Sequence, residues 1–196
     1  MGLGVVAVLL LILLDRTVSV SSRFIHSTAG GRSRDRTAYH GKSFIVTEII
    51  DGDTLELDAP DGARNTTRVR LLGIDAPEAG HPQTAPMYYA RQATGHLAQL
   101  AAGAKVTVYL NEKGPSRGRY DRLLAYLELP DGRFLNELLI AEGCVYADRR
   151  FGHGYYRKYR QLEGIARAGR VGLWRSVSRE QFPAWLQRME PDLLKP

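Results

Sequence analysis

A chain of 196 residues has room for one domain with additional segments, or at most two small ones. Its hydrophobic content of 44% excludes global disorder, and its single cysteine, Cys144, excludes an intrachain disulfide, so a packed core must hold the fold. Lys and Arg number 27 against 21 Asp and Glu, and the net charge of +6 favours an acidic partner, either nucleic acid or an anionic membrane surface.

The chain opens on an unbroken apolar run, Gly2 to Leu14, followed at once by Asp15 and Arg16. As a helix it spans about 20 Å, short of the roughly 30 Å of a bilayer core. That length suits a signal-peptide core, although no Lys or Arg precedes it; an uncleaved anchor extended through Val18 and Val20 is the alternative. Residues 1–20 are therefore expected to direct export, with membrane association if the segment is retained. Residues 21–41, rich in Ser, Arg, Thr and Gly without apolar period, read as a flexible linker. The globular domain is expected over 42–176, with 177–196 as a C-terminal extension, and as a monomer.

Ser43 to Asp58 reads as two strands around an Asp51-Gly52 turn, a pair that tolerates positive φ. Pro60-Asp61-Gly62 turns the chain into a strand from Thr66 to Leu72, where Arg68 and Arg70 alternate with Val69 and Leu71 and so lie opposite the core. Thr84 to Ala102 has helical periodicity, with Gly103 at its end. Strands follow at Lys105–Leu110 and Arg122–Leu129, then helices at Leu135–Glu142 and Tyr155–Ala168. Five strands opening with a meander, without βαβ alternation, predict an α+β, mainly β fold: a five-stranded OB-type barrel with three packed helices.

Three short segments carry candidate chemistry. Asp51-Gly52-Asp53-Thr54 alone is an ordinary hairpin turn. Arg70-Leu71-Leu72-Gly73-Ile74-Asp75-Ala76-Pro77-Glu78 runs an arginine-bearing strand into carboxylates, with Pro77 keeping Ala76 extended; alone it is a buried strand ending in an acidic loop. Arg119-Tyr120-Asp121-Arg122 follows a glycine-containing loop and begins a strand. Taken together they form a set suited to phosphodiester hydrolysis. Asp53, Asp75 and a backbone carbonyl are hard-oxygen donors for Ca²⁺ or Mg²⁺. A carboxylate not consumed by the metal can act as general base, and two guanidiniums can grip phosphate oxygens through forked bonds.

These motifs, in this order and spacing, resemble those of the thermonuclease (staphylococcal-nuclease-like) family from about Lys42 to Trp174, including a closing Gly172-Leu173-Trp174. The resemblance implies an OB-fold and Ca²⁺-dependent cleavage of DNA or RNA at the 5′-oxygen bond, leaving 3′-phosphates. It implies that Asp53 and Asp75 hold the metal through carboxylates and Ala76 through its carbonyl, that Glu78 is the general base, that Arg70 and Arg122 bind phosphate, and that Arg119 and Tyr120 contact the terminal phosphate of a nucleotide. Asp121 stands where the family usually has glycine and is expected to put a negative charge beside Arg122, weakening the grip without removing it. The family's base-stacking tyrosines have no counterpart in register, Tyr146 and Phe151 being only near.

Other features carry alternatives. From Arg149 to Arg175, eight basic residues and one acid, Glu163, are interleaved with Phe151, Tyr155, Tyr156, Tyr159 and Trp174. That is either a strand-tracking surface or a helix with a basic face and an aromatic core stripe. His81 could act as base or ligand, but no paired-His spacing supports it, and Cys144 reads as packing. A catalytically inert OB module that binds single strands is the alternative function; it should have lost part of the set, and all of it is present.

Overall fold

The computed structural model describes residues 29–80 and 83–193. Strands β1 (Lys42–Asp51), β2 (Thr54–Leu57), β3 (Thr67–Leu71), β5 (Lys105–Leu110) and β6 (Leu123–Glu128) close into a barrel in the order β1-β2-β3-β6-β5. All neighbours are antiparallel except β3 and β6, which run parallel with Val69 opposite Leu123 and Arg70 opposite Leu124. Closure depends on β1. Its first half, Lys42 to Ile45, pairs with β5, and its second half, Val46 to Asp51, pairs with β2 through two register shifts. Such shifts increase local twist and let one strand turn the barrel corner. Alternation fills the interior: Thr67, Val69 and Leu71 of β3 point inward with Leu55, Leu57, Val106, Val108, Leu123, Ala125 and Leu127. The expected OB-type barrel is the observed one.

Helix α2 (Ala90–Ala101) is shorter at its start than its periodicity indicates, because Tyr89 before it is left-handed at φ 68°. It buries Ala90, Ala93, Leu97 and Ala101, mostly small residues that allow close approach to the barrel. The approach explains Gly52. A Cβ there would lie 2.8 Å from the Ala76 Cβ and 2.9 Å from the Ala93 Cβ. The turn itself is one residue later than expected: Asp51 pairs with Thr54, so Gly52 and Asp53 form it, and neither has positive φ. Steric room, not backbone handedness, requires glycine at 52.

Helices α3 (Leu135–Ala141) and α4 (Tyr156–Ala168) follow as read, and a two-residue pair, β4 (Ile74–Asp75) with β7 (Tyr146–Ala147), sits beside the barrel. Two further helices correct the sequence reading. Ala29–Tyr39, inside the segment taken for a linker, is a helix (α1). It packs through Tyr39, whose hydroxyl lies 3.0 Å from Thr67 Oγ1, and through Asp35, which pairs with Arg117 and accepts from Ser116 Oγ at 2.6 Å. Polar tethers hold it, which is why an apolar period does not reveal it. Past Trp174, a 3₁₀ turn at Arg179–Gln181 is closed by a Ser178–Gln181 capping box and leads to α5 (Ala184–Met189). Val177, Phe182, Trp185 and Leu186 join Tyr146, Ala166, Leu173 and Trp174 in a second core, so the expected extension is a packed strap. Among the described residues, then, five α-helices surround the barrel in place of three. No described helix is long and apolar enough to cross a membrane; the run Gly2 to Leu14 lies outside the described residues.

Candidate active site

Pairing register brings the three motifs to one end of the barrel. Thr54 sits opposite Arg70 across β2–β3, the Leu71 amide donates to the Asp53 carbonyl at 2.8 Å, and the parallel β3–β6 pair sets Arg122, just before β6, alongside. Asp51, Asp53, Arg70, Asp75, Ala76, Glu78, Arg119 and Arg122 thus line one cleft of about 740 Å³, together with Lys113, Arg150 and Phe151.

The floor is a pair of carboxylates joined by Arg70. Asp53 Oδ2 accepts from the Ala76 amide at 2.6 Å and is ion-paired with Arg70 Nη2 at 3.0 Å, and Oδ1 accepts from Thr54 Oγ1 at 3.0 Å. Asp75 Oδ1 accepts from Arg70 Nη2 and Arg150 Nη2, each at 2.7 Å, and Oδ2 accepts from the Trp185 indole at 2.7 Å. Arg70 Nη1 is fixed by the Leu71 and Ile74 carbonyls at 3.1 and 2.7 Å. Burial pushes the Asp53 carboxyl up to about 7; Arg70 opposes that rise, while Asp51 and Asp75 add to it. A deeply buried carboxylate so poorly compensated gains from a further positive charge.

This donor set fits a hard divalent cation. An ionised carboxylate offers about four acceptor positions. Counting contacts among the described residues, Asp53 retains one on Oδ1 and Asp75 one on Oδ2. No group of three or more His, Cys, Asp or Glu side chains converges among the described residues. A cation would therefore be held by two carboxylates with backbone and water oxygens, an arrangement Ca²⁺ accepts.

The cleft's charged walls are less committed. Glu78 is exposed, and its carboxylate makes no hydrogen bond or ion pair among the described residues; only its backbone is engaged, with Met87. Arg122 reaches Thr54 Oγ1 at 3.5 Å, its Nε is buried without a partner, and it has no carboxylate within ion-pair distance among the described residues. Arg119 and Lys113 are exposed cations, equally without ion pairs among the described residues. Tyr120, two-thirds exposed, lies 5.5 Å from both the Arg119 and Arg122 guanidiniums. Asp121 differs from expectation. It occupies φ 59°, the left-handed region in which glycine is easiest, and its carboxylate pairs with Arg64 at 3.6 Å and forms no ion pair with Arg122.

Arg150 and Trp185 are the site residues the sequence reading missed. Arg150 lay within a flagged basic–aromatic run, but that run divides in the structure. Arg149 is buried against Glu163, and Tyr159 and Trp174 are core, while Arg157, Lys158 and Arg160 are exposed. Tyr146 is core as well, packed edge-on to Trp174 and Phe182. Phe151 is exposed on the cleft rim beside Arg150. His81 lies outside the described residues. Cys144 is buried, and burial pushes its thiol up to about 12, in keeping with packing.

Comparison with known proteins adds to this geometry. Residues 68–176 match the family described as staphylococcal nuclease homologue. The chain is 31% identical over 149 residues to a protein named uncharacterized endonuclease from Escherichia coli O157:H7, covering 76% of this chain and 84% of that one. It is 30% identical over 146 residues to a thermonuclease of Staphylococcus intermedius (74% and 83% covered) and 32% identical over 148 residues to a micrococcal nuclease of Shigella flexneri (71% and 78%). The barrel, the motifs gathered at its end and these matches together establish that the chain belongs to the staphylococcal nuclease homologue family.

Proposed function

We propose that this protein is a Ca²⁺-dependent nuclease that hydrolyses phosphodiester bonds of DNA or RNA and leaves 3′-phosphate ends. The observation that carries the reading is one cleft that joins the Asp53–Asp75 pair with a Glu78 carboxylate and an Arg122 guanidinium that, among the described residues, have no ion-pair partner. The names and family of the relatives support the same class.

In this reading, Arg122 and Arg119 draw the phosphate into the cleft, and Arg122 keeps a forked grip as charge builds on its oxygens. Glu78 accepts a proton from the attacking water. The water oxygen bonds to phosphorus, the bond from phosphorus to the 5′-oxygen breaks, and that oxygen takes up a proton. Arg70 holds Asp53 and Asp75 in register at the cleft floor. Asp53, Asp75 and the Ala76 carbonyl would hold Ca²⁺, which would supply positive charge to offset the negative charge building on the phosphate oxygens. Tyr120 and Phe151 offer flat faces to the flanking nucleotides. Export, by way of the apolar run Gly2 to Leu14, is part of the same proposal.

The direct test incubates the protein with single- and double-stranded DNA and RNA in Ca²⁺, Mg²⁺ or chelator. Cutting that Ca²⁺ restores after chelation, with 3′-phosphate ends, is expected. Undiminished cutting in excess chelator overturns the metal assignment, and binding without cutting identifies an inert OB module.

A further inference from the structure

The strap from Val177 to Met189 buries an indole against a site carboxylate. Trp185 is 6% exposed, and its Nε1 donates to Asp75 Oδ2 at 2.7 Å across 110 residues of sequence. The guanidinium of Arg150 lies 4.8 Å from the centre of the same indole and donates to the other Asp75 oxygen at 2.7 Å. Asp148 fixes Arg150 in turn, accepting from its Nε on Oδ1 and from its Nη2 on Oδ2, both at 2.9 Å. The carboxylate is therefore bracketed from two sides by groups that lock each other.

Packing alone does not account for the indole's direction. Trp174, in the same aromatic cluster, is buried with its Nε1 unpartnered, whereas Trp185 spends its one donor on Asp75. A hydrogen bond to a charged acceptor is the stronger kind, and here it occupies one acceptor position of Oδ2 on a residue that lines the cleft.

We propose that Trp185 is a positioning residue: with Arg150 it aims the Asp75 carboxylate for the divalent cation, which makes the C-terminal strap a wall of the cation site. The proposal rests on the Ca²⁺ reading given above. Partners that orient a metal ligand from behind are typically worth 10- to 100-fold in metal affinity or activity.

The test titrates the full chain with calcium chloride alone, by calorimetry, comparing the parent with Trp185→Phe and Phe182→Leu. Trp185→Phe keeps an aromatic ring and loses the donor, and it is expected to weaken Ca²⁺ binding about 10- to 100-fold. Phe182→Leu disturbs the same cluster without touching Asp75, so it should lower thermal stability and leave Ca²⁺ affinity unchanged. In a Trp174→Phe background, where Trp185 is the only indole, Ca²⁺ should shift its emission; this holds the proposal to account even if Trp185→Phe fails to fold. Equal affinity in the parent and Trp185→Phe, or emission unmoved at saturating Ca²⁺, overturns the positioning role while the metal reading stands. A parent chain that takes up no Ca²⁺ overturns the metal reading, and this proposal with it.

Discussion

Arg70 and Arg117 each sit between two carboxylates, yet the two bridges are built for different ends. Arg117 meets both partners fork to fork. Its Nε and Nη2 donate to Asp35 at 3.0 and 2.8 Å, and its Nη1 and Nη2 to Asp61 at 2.6 and 3.2 Å. Every donor nitrogen is spent, and Ser116 takes a further position on Asp35. Arg70 instead touches Asp53 and Asp75 through Nη2 alone, gives Nη1 to two backbone carbonyls, and leaves Nε without a partner among the described residues. Among the described residues, Asp53 Oδ1 and Asp75 Oδ2 each have a single hydrogen-bond partner, and both residues line the cleft. Similar residue types thus make a closed clamp in one place and a receptive site in the other. The clamp serves the site, because Arg117 lies in the loop that carries Arg119 and Arg122 and ties it to α1.

If this contrast is right, changes at the site should alter rate and changes at the clamp should alter stability. The largest effect is expected from Glu78→Gln. It keeps size and removes the proton acceptor, so turnover should fall by about 10²–10⁴. Substrate affinity and melting temperature should change little, since the carboxylate is exposed and has no partner among the described residues. Single-turnover cleavage alongside equilibrium binding measures both. A parent-like rate would move the base to another group.

Removing residues 1–41 tests the other side. The residues taken for a linker include Asp35, and without it Arg117 and Ser116 lose a buried partner. Breaking one side of a buried pair typically costs about 3 kcal/mol or more. A chain beginning at Lys42 should therefore unfold at lower denaturant than one beginning at Ala29, with Arg119 and Arg122 less well held. Equal midpoints would show that α1 is merely attached.

Between these lies Arg122→Lys. The ammonium keeps the charge but not the fork, and a charge-assisted hydrogen bond is worth roughly 1.5–3 kcal/mol, so cleavage should drop on the order of 10- to 100-fold. Arg70→Lys should do more than slow the reaction. Arg70 also joins the carboxylate pair, so Ca²⁺ affinity and stability should change together. Full activity in Arg122→Lys would leave the phosphate grip to other cations of the cleft.

What the sequence revealed follows the same division. The floor and walls of the site were legible because their residues fall within short segments whose order and spacing carry the resemblance to the nuclease family: Asp53 in a turn, Arg70 five residues before Asp75, Arg122 at a strand start. Barrel strands were legible because alternation repeats locally. Arg150 and Trp185 were not, since each acts on Asp75 from far along the chain and neither sits in a spacing that announces a partner. Helix α1 was hidden for a related reason. Its anchoring pair joins residues 82 apart, and its own sequence, with two glycines and little apolar surface, reads as linker. Gly52 shows a subtler limit: the turn signal was real, but the glycine answers to Ala76 and Ala93, which only packing brings near.

The smallest effect is expected at Asp121, where site and clamp meet. Its carbonyl accepts from Arg117 Nη1 at 3.1 Å, and its own side chain pairs with the exposed Arg64 at 3.6 Å. A glycine at this position keeps the carbonyl and relieves a left-handed φ that costs an L-residue about 1–2 kcal/mol, less for Asp than for most. The lost surface pair is worth about 0–1 kcal/mol. These terms nearly cancel, so Asp121→Gly should leave stability unchanged or raise it by up to about 1 kcal/mol. Because the Asp121 carboxylate faces Arg64, cleavage should stay at the parent level. If the substitution instead speeds cleavage severalfold at low salt and not at high salt, the carboxylate does compete for Arg122 in solution. The clamp would then be less closed than its forked geometry implies.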